Sequence, residues 1–542
     1  MVGKRMRQRK GWIYPILLFS LIIISQCAPR EKPYDIVIKN GVVIDGSGAS
    51  RVKADVGLKD KFIVKVGKIK EKLARKVIDA QGLIVSPGFI DIHTHCDREI
   101  LKVPTADNYI YQGVTTVIGG NCGGHPFPLR ELFQKIEEKG ITPNFGCLVG
   151  HNTIRRKAMS FKAGAPTPEE IEEMKALIES EMKSGALGFS TGLSYLPGTY
   201  AKTEELVELA SIAARYGGLY ATHLRDQGQK ITEAINEALE IGEKNSMAVQ
   251  ISHIKLAEEA VWNEIERIRT PVEEAQKRGV KVSLDQYPYM ATSSGFTSSL
   301  PSWAFEGGKE QFLKRLKTRK TYEKIKEYVI ERRLTSTRGI EKTETIYIGR
   351  CLKHPEYEGK NLKEILISLG KKSTPENAAD LIIEIEKDAG ASGVFFQMDE
   401  ADVEELMRLP YNMHASDGGI QVLDEGVPHP RNYGTFPRVI SFYVREKGII
   451  PLEEAIRKMT YLPAQTLGLE KRGLVREGMY ADLTIFNYET FKDRATFNKP
   501  HQYTEGLEYV FINGEAAVER GTHTEKLPGM VLYGKGKIEP IE

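Results

Sequence analysis

The first regular pattern along the chain is a set of short strand-like runs that opens at Tyr34. Asp35-Ile36-Val37-Ile38-Lys39 is followed by Asn40-Gly41 and then Val42-Val43-Ile44-Asp45, which predicts a hairpin turning at the Asn-Gly pair. The same texture returns near the other end, in Ala481-Asp482-Leu483-Thr484-Ile485-Phe486 and in Glu508-Tyr509-Val510-Phe511-Ile512 before Asn513-Gly514. Two β-rich ends around a different middle predict a small β-sandwich domain assembled from residues 34–86 and 470–535.

Between those ends, apolar runs alternate with amphipathic helical stretches, the pattern of a parallel α/β sheet. Eight strands can be read: Phe89 to His93, Val114 to Ile118, Asn144 to Val149, Ala186 to Ser190, Leu219 to Thr222, Met247 to Ser252, Lys281 to Asp285 and Tyr411 to Ala415. Eight such units predict an α/β fold, a (β/α)8 TIM barrel over residues 87–469. The stretch from Met290 to Leu409 is too long for an ordinary connection between strands seven and eight, so it must hold an insertion. Ser293-Ser294-Gly295 and the charged helical runs that follow suggest a subdomain or lid over about 290–345.

The first 27 residues read differently. A basic stretch leads into Trp12 to Ile24, which is apolar except for Ser20 and too short to span a bilayer comfortably. It is expected to act as an export signal and to bring the protein to the cell envelope. Ile24-Ser25-Gln26-Cys27 resembles a bacterial lipobox, with Cys27 then carrying lipid at the mature N-terminus. Gln26 departs from the small residue expected there, which leaves an uncleaved anchor or ordinary signal cleavage as alternatives. Five of the 76 basic residues fall among the first ten positions, so the rest of the chain is close to charge balance against 73 acidic residues. Nothing in that balance calls for a nucleic-acid partner. With 41% hydrophobic and 27% charged residues the composition is globular, and the five cysteines show no disulfide framework.

Barrel enzymes build their sites at the C-terminal ends of the strands. Those ends carry His93-Thr94-His95, Asn121-Cys122-Gly123-Gly124, Thr222-His223-Leu224-Arg225, Ser252-His253-Ile254-Lys255 and Ser416-Asp417-Gly418-Gly419. A lone His-x-His pair is usually a surface feature and a lone cysteine a small buried hydrophobe. Histidines, a cysteine and an aspartate at five strand ends together point instead to a metal site. Imidazole and thiolate ligands suit zinc.

Pro87-Gly88-Phe89-Ile90-Asp91-Ile92-His93-Thr94-His95 resembles the metal-dependent amidohydrolase superfamily. Gly119-Gly120-Asn121-Cys122-Gly123, Gly150-His151-Asn152-Thr153-Ile154-Arg155, Gly188-Phe189-Ser190-Thr191-Gly192-Leu193 and His429-Pro430-Arg431-Asn432-Tyr433-Gly434 resemble one branch, the N-acyl-D-amino-acid deacylases or D-aminoacylases. The resemblance implies that Cys122, His223 and His253 hold a tight zinc. It also implies that His93 and His95 form a weaker neighbouring position sharing Cys122, so one metal and two both stay open. Asp417 would move the proton between attacking water and leaving amine. Tyr195, Lys255 and Arg431 would hold the α-carboxylate of a small N-acyl-D-amino-acid substrate, while Arg225, Tyr287 and His151 lie at barrel mouths without an assigned role. A cyclic-amide hydrolase and a metal-free binding protein are the alternatives. The sequence does not specify an oligomeric state.

Overall fold

The computed structural model describes residues 1–3 and 32–538. Most of the anticipated export signal, Cys27 included, lies outside the described residues. Among the described residues no helix is long and apolar enough to cross a membrane.

Eight parallel strands organise the middle of the chain. Strand one is Phe89–Asp91, two Val114–Gly119, three the broken pair Asn144–Cys147 and Val149–Gly150, and four Gly188–Gly192. Five is Leu219–His223, six Val249–Ile251, seven Val282–Gln286 and eight Asn412–His414. Strands one, two and three pair in order, and the second piece of strand three begins a run in which each strand pairs with the next through to eight. Just past the first and last strands the chain segments meet, the Asp417 amide donating to His93 O at 2.9 Å and the His95 amide to Gly418 O. Ile90, Ile118, Leu148, Leu219, Ala221 and Met413 meet in one buried cluster, which is what parallel strands covered on both faces require. Outside them run amphipathic helices such as Pro168–Lys183. That helix opens with a capping box between Thr167 and Glu170 and with Pro168 in its first turn, where a missing amide hydrogen costs nothing.

The two β-rich ends join in one nine-stranded sheet, in which Ile84–Pro87 from the front of the chain pairs with Leu483–Phe486 from the back. The hairpin anticipated at Asn40-Gly41 is not formed. Tyr34–Val43 is one strand whose register against Val52–Lys59 slips between Ile38 and Gly41, because Asn40 adopts φ +62 and its amide donates to the side-chain Oδ1 of Asp55 on that strand instead of to a backbone carbonyl. The pair therefore makes a bulge. Asn513-Gly514, both at positive φ, does form a tight turn between Leu507–Ile512 and Glu515–Glu519.

The segment between strands seven and eight runs further than the 290–345 anticipated. It contains a three-stranded antiparallel sheet made of Ala291–Gly295, Ser392–Phe396 and Ile346–Arg350. Its own core includes Phe296, Phe312, Ile325, Leu362, Ile382 and Phe395. The closing strand lies beyond residue 345 because the middle strand of that sheet is its last in sequence.

Candidate metal centre and substrate cavity

The side chains named at the strand ends converge. His93 Nε2 and His253 Nε2 each lie 3.4 Å from Cys122 Sγ, and His223 Nδ1 lies 3.8 Å from it. His95 Nε2 is 3.1 Å and His93 Nε2 3.5 Å from Asp417 Oδ1. One donor atom each of His93, Cys122, His253 and Asp417 falls within 4.8 Å of the others, all four residues being buried. Two imidazoles, a thiol and a carboxylate within one ion's reach fit zinc.

Local backbone explains how the donors reach that point. Cys122, His253 and Asp417 have φ of +52, +36 and +49, a region that residues with a side chain seldom occupy. Each stands just past the end of its strand, in a left-handed turn, with its donor atom in the cluster. Gly123 follows Cys122 at φ +77, and a Cβ there would lie 2.1 Å from Asn152 Oδ1, so the loop can close only over glycine. Such outliers collect at functional sites.

Partners behind the donors fix their orientation. Asp285, at the end of strand seven, contacts His93 Nδ1 at 3.1 Å, while the same oxygen accepts the His253 amide at 2.8 Å and its other oxygen accepts Gln250 Nε2 at 2.7 Å. Ser194 Oγ is 2.7 Å from His223 Nε2, and Gln227 Nε2 is 3.1 Å from His253 Nδ1. The sequence reading singled out none of these three. Asp285 carried the same strand-end signal as the ligands and could have been found by it, whereas Ser194 and Gln227 sit in loops with no distinguishing pattern.

The electrostatics suit metal ligation. Burial opposes ionisation of Cys122, but His93, itself raised against its own burial by Asp285 and the thiol, outweighs it together with the hydrogen bonds of His223 and His253 and holds the thiol well below its ordinary range. Burial, with Lys255 and His223 nearby, pushes His253 down to about 3, which keeps its ring neutral. Asp417 is held well below the usual carboxylate range, burial being outweighed by the Arg431 guanidinium 2.7 Å away.

Lys255 Nζ lies 3.1 Å from His253 Nδ1 and donates to Gln227 Oε1 at 3.0 Å. Lys255 and Arg431 both stand over the ring of Tyr287, at 5.4 and 4.8 Å from its centroid, so that tyrosine joins them. Tyr195 packs its ring 4.4 Å from that of His223. A cavity of about 420 Å³ is lined by Tyr195, His223, His253, Lys255, Tyr287 and Asp417, and a second of about 710 Å³ by His95, Cys122, Tyr195, Asp417 and Arg431. Two of the residues expected at barrel mouths do not join the cluster. His151 is paired with Glu205 at 2.9 Å in the interior, and Arg225 is held by Glu237 at 2.9 Å. Cys96, Cys147 and Cys351 are buried free thiols.

An α/β fold of TIM-barrel type whose strand ends gather imidazoles, a thiol and a carboxylate on one point defines a metal-dependent hydrolase of the amidohydrolase kind. The profile of the amidohydrolase family matches residues 76–307 and 378–518, and that of the urease alpha-subunit N-terminal domain matches residues 22–88. The chain is 34% identical to the D-aminoacylase of Alcaligenes xylosoxydans xylosoxydans, over 93% of this chain and 98% of that one. It is 32% identical to the N-acyl-D-glutamate deacylase of the same organism, over 94% and 98% of the two chains. The crystal structure of N-acyl-D-glutamate deacylase from Bordetella bronchiseptica, complexed with zinc and a phosphonate inhibitor that mimics the reaction's tetrahedral intermediate, is similar with a TM-score of 0.79. It has 31% sequence identity, covering 92% of this chain and all of that one. The chain belongs to the amidohydrolase family and, within it, to the D-aminoacylases.

Proposed function

We propose that this protein is a zinc-dependent hydrolase that opens the amide bond of N-acyl-D-amino acids, releasing a D-amino acid and a carboxylate. The observation that carries the reading is Cys122 at the centre of the His93, His253 and Asp417 cluster, with Lys255 and Arg431 gathered at Tyr287 beside it. Cys122, His223 and His253 would hold one zinc tightly, and His93 with His95 a second, weaker position sharing Cys122. Bound there, zinc supplies Lewis-acid polarisation and lowers the pKa of water to about 7.

The remaining chemistry belongs to the chain. Asp417, ionised by its pairing with Arg431, takes a proton from the attacking water and passes it to the leaving nitrogen. Tyr195, Lys255 and Arg431 hold the α-carboxylate, two cations and a phenol being suited to fix one end of the substrate. For this geometry to serve one reaction, the eight strands form a closed (β/α)8 barrel over residues 87–469. The Asp417 amide bonded to His93 O supports that closure. The sheet from the two termini, residues 34–86 and 470–535, is a β-sandwich domain against the barrel, a reading supported by the pairing of Ile84–Pro87 with Leu483–Phe486. We further propose that residues 1–27 export the protein to the cell envelope and hold it on the membrane there, through lipid at Cys27 or an uncleaved anchor.

Zinc analysis joined to a screen of acyl-D, acyl-L and cyclic amide substrates tests the reading. Zinc with turnover confined to linear N-acyl-D-amino acids is the expected result, and Cys122→Ala should lose both metal and activity. Turnover confined to cyclic amides would overturn it.

A further inference from the structure

We infer that Arg333 receives a second anionic group of the substrate, the side-chain carboxylate of an acidic D-amino acid. The inference deepens the deacylase reading and rests on it.

The cavity of about 420 Å³ that is lined by Asp417, His223 and His253 is bordered by four cations, Arg225, Lys255, Arg332 and Arg333. Two are neutralised by carboxylates, Arg225 by Glu237 and Arg332 by Glu258. Lys255 and Arg333 have no carboxylate within 4.0 Å among the described residues. The first is accounted for by the α-carboxylate. Arg333 is left over.

Its surroundings are those of a receptor awaiting an anion. Nη1 donates to Gln397 Oε1 at 3.0 Å and Nη2 to Ser298 O at 3.3 Å and Ser298 Oγ at 3.4 Å, while the buried Nε has no partner. The guanidinium stands 5.0 Å from the centre of the Phe395 ring, which fixes its plane. Neutral oxygens thus occupy only part of a five-donor fork whose best complement is a carboxylate bound by two parallel hydrogen bonds. Burial brings Arg333 down to about 10, the direction of a cation short of a counter-ion.

Its backbone is also unusual. Arg333 lies in a single π-helical turn, Ile330–Leu334, at the end of the helix Arg319–Val329. Such turns frequently mark functional sites. Both arginines border the cavity, but Arg332 is paired there with Glu258 and Arg333 has no carboxylate among the described residues. Lys255 comes from the end of a barrel strand and Arg333 from the insertion. The two free cations therefore border the cavity from separate parts of the fold, as a ligand with two separated carboxylates needs.

The test compares kcat/KM for N-acetyl-D-glutamate, its uncharged isostere N-acetyl-D-glutamine, N-acetyl-D-leucine and N-succinyl-D-leucine. The wild-type enzyme is expected to favour the glutamate over the glutamine substrate by tenfold or more. Arg333→Gln should reduce that ratio at least tenfold at wild-type zinc content, and Arg333→Lys should restore part of it. A wild-type ratio near one, or an unchanged ratio in Arg333→Gln, overturns the assignment, the former without relying on any variant's folding. A carboxylate preference expressed only between the succinyl and acetyl leucine substrates also overturns it, by moving the anion to the acyl group. No turnover of any of the four, N-acetyl-D-leucine included, would instead sink the deacylase reading itself.

Discussion

Asp417 concentrates the chemistry of the site in one residue: a buried carboxylate in a left-handed turn, touching His95 and Arg431 and within 3.5 Å of His93. Replacing it by asparagine keeps the shape and removes the proposed proton carrier. Asp417→Asn should retain zinc yet lose about 10²- to 10⁴-fold in turnover, the usual worth of general acid-base catalysis. Metal analysis beside steady-state kinetics reads both, and near-normal turnover would assign the proton to another group. Asp285 acts one step behind, through His93. Asp285→Asn leaves every donor atom in place but no longer pulls on the imidazole N–H, so zinc should be held about 10- to 100-fold more weakly in a chelator competition. Unchanged competition would show that His93 is oriented by packing alone. The donors themselves were legible in the sequence because period-two strands put them at five strand ends at once. Ser194 and Gln227 were not, since a loop hydroxyl and a loop amide acquire meaning only when a folded neighbour stands beside them.

At the level of elements, hydrophobic patterning found the parallel strands well and misread the connections. Strand four begins two residues later than anticipated, and Asn40-Gly41 reads locally as a turn although its partner strand comes from elsewhere. What overrides the local signal is a long-range contact, Asp55 accepting the Asn40 amide. The insertion's far boundary was hidden for the same reason, because its last strand pairs with its first across roughly a hundred residues of sequence. How the insertion is tied to the loop after strand six was equally invisible. Glu259, just past strand six, accepts from the amides of Thr337 and Arg338 at 3.0 Å, from Ser336 Oγ at 2.7 Å and from Lys342. Burial pushes its carboxyl up, but Lys342 and Ser336 outweigh that and bring it from 4.5 to about 2. A depressed folded-state value stabilises the tether fully above pH 4.5 and loses that contribution as pH falls toward 2. Proteolysis of the loop at residues 335–345 should therefore accelerate across that window. Glu259→Gln should show the faster cleavage already at pH 7, and equal cleavage of the two proteins at pH 7 would remove Glu259 from the tether.

The whole molecule brings its two ends together, and the consequence reaches beyond the sheet they form. Lys32 donates to Ala74 O at 2.6 Å and Tyr34 pairs with Ala74, so the chain enters the fold beside the run that holds Lys70, Lys72, Arg75 and Lys76. If residues 1–27 hold the protein on a membrane, those side chains lie near the lipid headgroups, where each basic residue contributes about 1 kcal/mol on an anionic surface. Among the described residues, the sheet, the strands and the cavity are all built from positions after Lys32. A chain lacking residues 1–31 should consequently keep its zinc and its kcat/KM while moving from the membrane pellet to the supernatant. Cys27→Ala separates the two modes of attachment: release of that variant, together with fatty-acid labelling of the wild type, indicates lipidation. Retention in the pellet without labelling indicates an uncleaved apolar anchor. High salt should not release the full-length protein in either case, because an acyl chain or an apolar segment is held by burial and only the basic run is screened. Recovery of the full-length protein in the supernatant at physiological salt would show that the segment exports the enzyme without retaining it.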